Sequence, residues 1–289
     1  MTWQCAWRRA ANGRRARPLL ILLAVLVANG VIARRAAAQI DYRNLDDDRP
    51  TLIEDAYPAE RFAFELLAPY RYERGIGGRE LHLTVPELEY GVFSNTQVGF
   101  KLPFARISGG AGPGQPAAGS RAGLAGVQLF GLYNFNTEGP LLPALAVRGD
   151  VTFGVGSLGG TGTRGAVKFI ATRSWGATRI HLNVARGFWA ATGFGVAEGL
   201  SRWTYGGAVD RTLWRRSLLV IGEVYARQAL AGAPTEVNAG LGLRYQWRAT
   251  TVLDMGVGRR LRSGIGPDLT LTVGLSHAFA LAGLMPAGR

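Results

Sequence analysis

Between residues 61 and 280 the apolar side chains of this sequence keep falling on every second position. The clearest run is 236–247, where Val237, Ala239, Leu241, Leu243, Tyr245 and Trp247 alternate with Glu236, Asn238, Gly240, Gly242, Arg244 and Gln246. The pattern resumes with Leu253, Met255 and Val257 against Asp254, Gly256, Gly258 and Arg260. A period of two puts one set on each face of a β-ribbon and cannot make the stripe of an amphipathic helix. It predicts twelve strands, roughly at 61–73, 79–92, 96–104, 122–135, 142–156, 163–174, 178–189, 201–213, 217–229, 235–247, 250–261 and 267–280. Each is long enough to cross hydrocarbon when tilted, which takes about 9–11 residues.

The links between these strands alternate in length. "FSN", "NTEGPL", "WGA", "WRRS" and "RAT" are short, whereas most of the others are longer and Gly-rich, with extremes at 105–121 and 190–200. Short and long ends in alternation are the mark of an up-and-down antiparallel barrel. An even strand count puts both termini at the short-turn end. That end is also marked by one aromatic per hairpin: Phe93, Phe135, Trp175, Trp214, Trp247 and finally Phe279. Such rings gather where headgroups meet hydrocarbon. Tyr70, Tyr72, Phe104, Phe188, Trp189 and Trp203 are expected to form a second girdle.

Alternation alone does not say which face is wet. In a soluble sandwich the polar face is outside; in a membrane barrel the apolar face meets lipid and the polar face a lumen. The N-terminus favours the membrane. Residues 1–18 carry five Arg and no acid, 19–33 are apolar, and small residues at Ala36 and Ala38 precede Gln39. This is the layout of a secretory signal peptide over 1–38. Its removal takes seven Arg and no acid, so the formal charge falls from +13 to +6. The high basicity is therefore partly an export signal, and no basic block or nucleic-acid motif remains. The single cysteine, Cys5, leaves with it. No disulfide, Cys metal site or lipid-modified cysteine is then available.

Several features invite chemistry and are better read as structure. "GTGTRG" at 160–165 has glycine-fingerprint spacing, but a β-segment follows where a nucleotide site needs a helix. Asp46, Asp47 and Asp48 lack the ligand spacing and turn glycine of a calcium loop. His82, His181 and His277 show no metal-ligand spacing. Ser174 and His181 lie on neighbouring strands and keep open an outer-membrane lipid hydrolase, though no nucleophile elbow is present. Four positions resist the simple pattern: Ile170 on the lumen side, His277 and Arg186 on the lipid side, and Pro86, where a bulge is expected to re-aim the second strand.

The polar face carries charges of both signs. The lumen-lining candidates are Glu65, Arg71, Glu87, Glu89, Lys101, Arg148, Asp150, Lys168, Arg202, Asp210, Glu223, Arg227, Glu236, Arg244, Asp254 and Arg260. They can pair across strands and fill a narrow barrel, or line a path that sorts solutes. Twelve strands give a bore between filled eight-stranded barrels and open sixteen-stranded ones.

"NLDDDRPTLIEDAYPAERFAFEL" and "VPELEYGVFSNTQVGFKLPF" resemble the family of outer-membrane transporters named for the MetA pathway of phenol degradation. The matching residues are Arg49, Pro50, Asp55, Ala56, Pro86, Glu87, Tyr90, Gly91, Gly99 and Pro103, within 46–104. The resemblance implies passage of small aromatic or apolar compounds. Likewise "LTVGLSHAF" at 271–279 resembles the C-terminal strand that outer-membrane barrels present to their assembly machinery, with His277 and the "ALAGLMPAGR" tail as departures.

The expected organisation is a signal peptide (1–38), an irregular periplasmic lead segment (39–60), an all-β transmembrane barrel (61–280) and a short tail (281–289). The expected role is a passive outer-membrane channel for small solutes, both termini periplasmic, with no cofactor, metal or catalytic residue. Its partners are outer-membrane lipid, the barrel-assembly machinery and a solute, with no nucleic acid. The alternative is a plugged barrel with a structural or surface-binding role.

Overall fold

The computed structural model describes residues 39–109, 119–189, 203–213, 217–228, 234–262 and 266–285. The predicted signal peptide, most of the 105–121 link, the 190–200 link and Trp214 lie outside them. Sixteen hydrogen-bonded segments form one antiparallel sheet that closes on itself. The first eight join in pairs across short breaks, so the wall is crossed by twelve strands. β1 is Ala63–Leu67 with Tyr70–Gly75, β2 Glu80–Thr84 with Glu87–Phe93, β3 Thr96–Lys101 with Phe104–Ser108, and β4 Arg121–Leu124 with Val127–Asn136. β5 is Ala144–Phe153, β6 Thr163–Trp175, β7 Thr178–Trp189, β8 Trp203–Leu213, β9 Leu218–Gln228, β10 Glu236–Arg248, β11 Thr251–Arg260 and β12 Pro267–Ala280. Each strand pairs with its chain neighbour. β1 closes the ring on β12 in the register Ala63↔Ala280, which brings both barrel ends together at the short turns.

The apolar face is outside. Leu241, Leu253, Met255, Val257, Val224, Val273 and Phe169 are exposed all round the wall. A band of this extent belongs against hydrocarbon. Phe93, Phe135, Trp175 and Trp247 are each more than half exposed at the short-turn end. At the other end Phe188 is also more than half exposed. Tyr70 and Phe104 sit lower than expected, beside breaks in β1 and β3. His277 and Arg186 do lie outside. His277 Nδ1 bonds Thr251 Oγ1 at 3.1 Å, and the Arg186 guanidinium covers the Trp203 ring at 4.6 Å.

Those breaks run in a row. Pro69, Pro86, Pro103 and Gly126 interrupt β1 to β4 at one level, and single bonds span the gaps: Val85 N to Pro69 O, Leu102 N to Pro86 O, and Ala125 N to Pro103 O. Proline has no N–H to complete the ladder, so the wall creases along this line. The expected bulge at Pro86 is not there. Tyr70↔Thr84 and Leu67↔Glu87 belong to one register, so β2 keeps its facing across the proline. Leu83 and Val85 therefore point inward with Glu87 and Glu89, and Leu158 from the β5–β6 link, Ala105 and Ala125 cover them. The register slips instead in β4, between Phe104↔Leu124 and Lys101↔Gln128. Gly126, at φ 126°, absorbs the extra residue in a backbone region that other side chains rarely enter.

Candidate functional site

Residues 39–60 form no helix or strand, and they fold up inside the barrel. The segment starts at the short-turn end, where Ile40 N donates to Ala249 O, climbs to Asp48–Leu52, and returns so that Phe62 N donates to Gly91 O. Its two arms are clipped together: Asp55 N donates to Leu45 O, and Asp55 Oδ2 accepts from Leu45 N. From the sequence alone the stretch is expected to be an irregular periplasmic lead segment. It sits in the lumen because the wall supplies what a buried irregular backbone lacks, namely partners for its N–H and C=O groups.

Those partners come one by one from different strands. Glu223 Oε2 of β9 accepts from Leu52 N at 2.8 Å and Ile53 N at 3.0 Å. Asn183 of β7 bonds Glu54 N and Glu54 O. Thr172 Oγ1 of β6 accepts from Ala56 N at 3.0 Å, Asn134 Nδ2 of β4 donates to Ala56 O at 2.7 Å, and Gln97 Oε1 of β3 accepts from Ala59 N at 2.7 Å. Thr272 Oγ1 of β12 donates to Pro50 O. Glycines on the wall make room. A Cβ on Gly256 would lie 2.3 Å from Pro50 O, and one on Gly91 would lie 2.1 Å from Glu60 O. The apolar lumen residues are explained in the same way. Ile170 packs with Ala56, Leu132, Ala144 and Ala146, while Leu219 and Ile221 pack on Ile40, Leu45 and Ile53.

Charges cross-link the segment to the wall. Arg148 reaches Glu54 at 2.9 Å and Asp150 at 3.1 Å, with its guanidinium 3.8 Å from the Phe130 ring centroid. Lys168 holds Asp47 and Glu54, and Lys101 holds Asp47 at 3.2 Å and Glu87 at 3.5 Å. Arg49 lies 3.2 Å from Asp46 and 3.7 Å from Glu87. Arg244 joins Asp46 to Asp254. Arg179 bonds Asp55 on the segment and Asp210 on β8. Such pairs lose hydration on burial and hold position chiefly by mutual satisfaction.

Fifteen of the sixteen lumen candidates are among the described residues, and all fifteen are at most part-exposed; Arg202 is not described. Seven of them, Arg71, Glu87, Lys101, Arg148, Lys168, Glu223 and Arg244, grip residues 44–54 of the segment. Arg71 contacts Asp48, Arg227 approaches Glu236 at 3.9 Å, and Arg260 pairs with Asp268 near the long-link end. The residues on the other side of these contacts, Asp46, Asp47, Arg49, Glu54 and Asp55, were missed as site residues, and so were Gln97, Asn134, Thr172, Arg179 and Asn183. Strand parity placed the wall members inward, but nothing local marked the lead segment as their partner.

His181 does not meet Ser174. Ser174 N donates to Glu138 in the adjacent turn, and Ser174 pairs with Arg179 in register. His181 Nδ1 faces Thr172 Oγ1 at 3.0 Å and its Nε2 faces Asp210 Oδ2 at 2.9 Å. All three side chains are fully buried beneath the segment. Nε2 must carry a proton to face a carboxylate. The Thr172 hydroxyl already accepts from Ala56 N, so this relay holds the segment and offers no open nucleophile. "GTGTRG" forms the end of the β5–β6 link and the start of β6, with Gly160 and Gly162 at positive φ. No helix follows it.

Above the segment, towards the long links, a cavity of about 100 Å³ remains. Asp47, Asp48, Asp150, Arg71, Arg164, Lys168 and Arg227 ring it with both signs of charge, and Leu52 and Ile53 form part of its floor.

No family model matches the sequence, and no curated protein matches it. Solved structures do resemble the fold. The COG4313 outer membrane channel from Pseudomonas putida F1 superposes with a TM-score of 0.58 at 15% identity, covering 82% of this chain and 100% of that one. The KdgM porin in complex with oligogalacturonate aligns at 0.47 and 13% identity, covering 74% and 99%. The CymD monoaromatic hydrocarbon channel aligns at 0.42 and 12% identity, covering 76% and 89%. At such identities the likeness to the first is one of fold, a closed outer-membrane barrel.

Proposed function

We propose that this chain is a passive outer-membrane channel for small solutes, whose bore is set by its own lead segment. One observation carries the reading: among the described residues, a chamber lined by charges of both signs lies between the tip at Asp48–Leu52 and the long-link end of the wall. Water and small solutes enter a lumen of this chemistry, whereas only hydrocarbon suits the outside. Neighbouring charges of opposite sign favour weak selection by charge. The short-turn end, with both barrel ends, faces the periplasm, and the long links face outward.

The lower lumen is packed with ion pairs, and this supports the second reading, a barrel closed at rest. The two separate in planar bilayers. A channel conducts in small, resolvable steps, and removal of residues 41–57 enlarges them. Failure of both forms to conduct, with the barrel folded, refutes the channel. Liposome swelling with neutral, anionic, cationic and phenol-sized aromatic solutes then ranks the solute class, the last being what the family resemblance implies. The protein is not a hydrolase on this reading. Lipid hydrolysis that disappears in Thr172→Val or Ser174→Ala would reverse that.

A further inference from the structure

Three buried carboxylates converge where the ascending arm of the lead segment meets β1 and β2. Asp46, Glu65 and Glu89 each bring an oxygen within 4.8 Å of the other two. Glu65 and Glu89 are direct cross-strand partners, and all three side chains are buried. A second, separate observation concerns the same carboxylates. Glu89 is 1% exposed, and neither of its carboxylate oxygens has a hydrogen-bond donor; Glu65 Oε2 lacks one as well. A buried carboxylate with no partner costs several kcal/mol, so native structures rarely leave one bare.

Local charge agrees. Asp46, Glu65, Glu87, Glu89 and Asp254 surround the spot. Arg49, Arg244 and Lys101 pair with Asp46, Glu87 and Asp254, and no ion pair among the described residues reaches Glu65 or Glu89. We propose that Asp46, Glu65 and Glu89 bind one hard divalent cation of Ca²⁺ size, which staples the lead segment to the β1–β2 wall. The donors are all oxygen, which suits Ca²⁺ or Mg²⁺ over softer metals. A buried cage made of protein oxygens suits Ca²⁺, because Mg²⁺ dehydrates reluctantly and usually keeps several waters.

The site stands whether or not the barrel conducts, and its test needs no transport. The purified chain is folded into detergent free of lipopolysaccharide, whose phosphates themselves bind Ca²⁺, then stripped with EDTA and titrated with CaCl₂ in a calorimeter. One Ca²⁺ per barrel is expected. Glu89→Gln, Glu65→Gln and Asp46→Asn each weaken binding at least about tenfold, since affinity follows the number of charged ligands. Glu138→Gln, in the β4–β5 turn, leaves it unchanged. Heat-modifiable mobility verifies that each variant is folded. A parallel melt is expected to rise with Ca²⁺ in the wild type and stay flat in Glu89→Gln. Absence of Ca²⁺ binding by the wild type overturns the proposal, as does undiminished binding by folded Glu89→Gln or equal affinity for Mg²⁺.

Discussion

Glu223→Ala is expected to loosen the tip of the lead segment without disturbing the wall. In the native barrel one carboxylate oxygen accepts from both Leu52 N and Ile53 N, at 2.8 and 3.0 Å. Hydrogen bonds to a charged group contribute about 1.5–3 kcal/mol each, so the gross loss is about 3–6 kcal/mol. The chamber beside Leu52 and Ile53 admits water, which recovers part of this. A net loss of about 3 kcal/mol raises the undocked-to-docked ratio roughly 150-fold, at tenfold per 1.4 kcal/mol. Glu223→Gln keeps an acceptor but not the charge, and a loss of about 1 kcal/mol corresponds to roughly fivefold. In single-channel records the undocked state is the larger conductance level. Its dwell fraction should rise in the order wild type, Gln, Ala. A folded Ala variant whose conductance levels and dwell fractions equal the wild type would refute the claim that this carboxylate anchors the segment.

Gly256→Val places a side chain where Pro50 O and Thr272 Oγ1 lie within 2.5 Å of the Cβ, so residues 41–57 should become accessible to protease added to detergent-folded protein. Arg148→Met removes one of the two basic partners of Glu54, which keeps Lys168, and leaves Asp150 with Gln128 beside the chamber; a loss of about 1.5–3 kcal/mol is expected as a lower urea midpoint in vesicles. Leu241→Arg, on the outer face at mid-strand, should destabilise the vesicle-inserted barrel by about 2–4 kcal/mol, and it should cost far less in a soluble form if the face were wet.

The residues carrying the family resemblance acquire a common meaning in the structure. Arg49, Asp55 and Ala56 belong to the inserted segment, Glu87 contacts it, and Gly91 lets Glu60 pass. Gly99 faces the Phe130 ring at 2.5 Å from where its Cβ would be, and Pro86 and Pro103 lie in the crease. Tyr90 is outside, stacked on Phe64 at 4.5 Å. The stretch over 46–104 therefore encodes one junction between the lead segment and the first three strands.

Strand number, the lipid face and the short-turn aromatic ring were legible because each is a local matter. Side-chain direction alternates with every residue, and a membrane sorts the two sets by hydration alone. The inward facing of Arg148, Glu223 and Arg244 followed from the same parity. What they face did not. Arg244 and Asn44 are 200 positions apart, and Glu223 and Leu52 are 171 apart. No periodicity relates such residues. Only closure of the ring brings them together, and only there does an acidic, irregular stretch find enough donors and acceptors to leave water. Tertiary structure likewise chose Thr172 over Ser174 for His181, because opposing registers decide contact across strands. It also moved the bulge from Pro86 to Gly126, because an extra residue goes where the backbone bends at least cost.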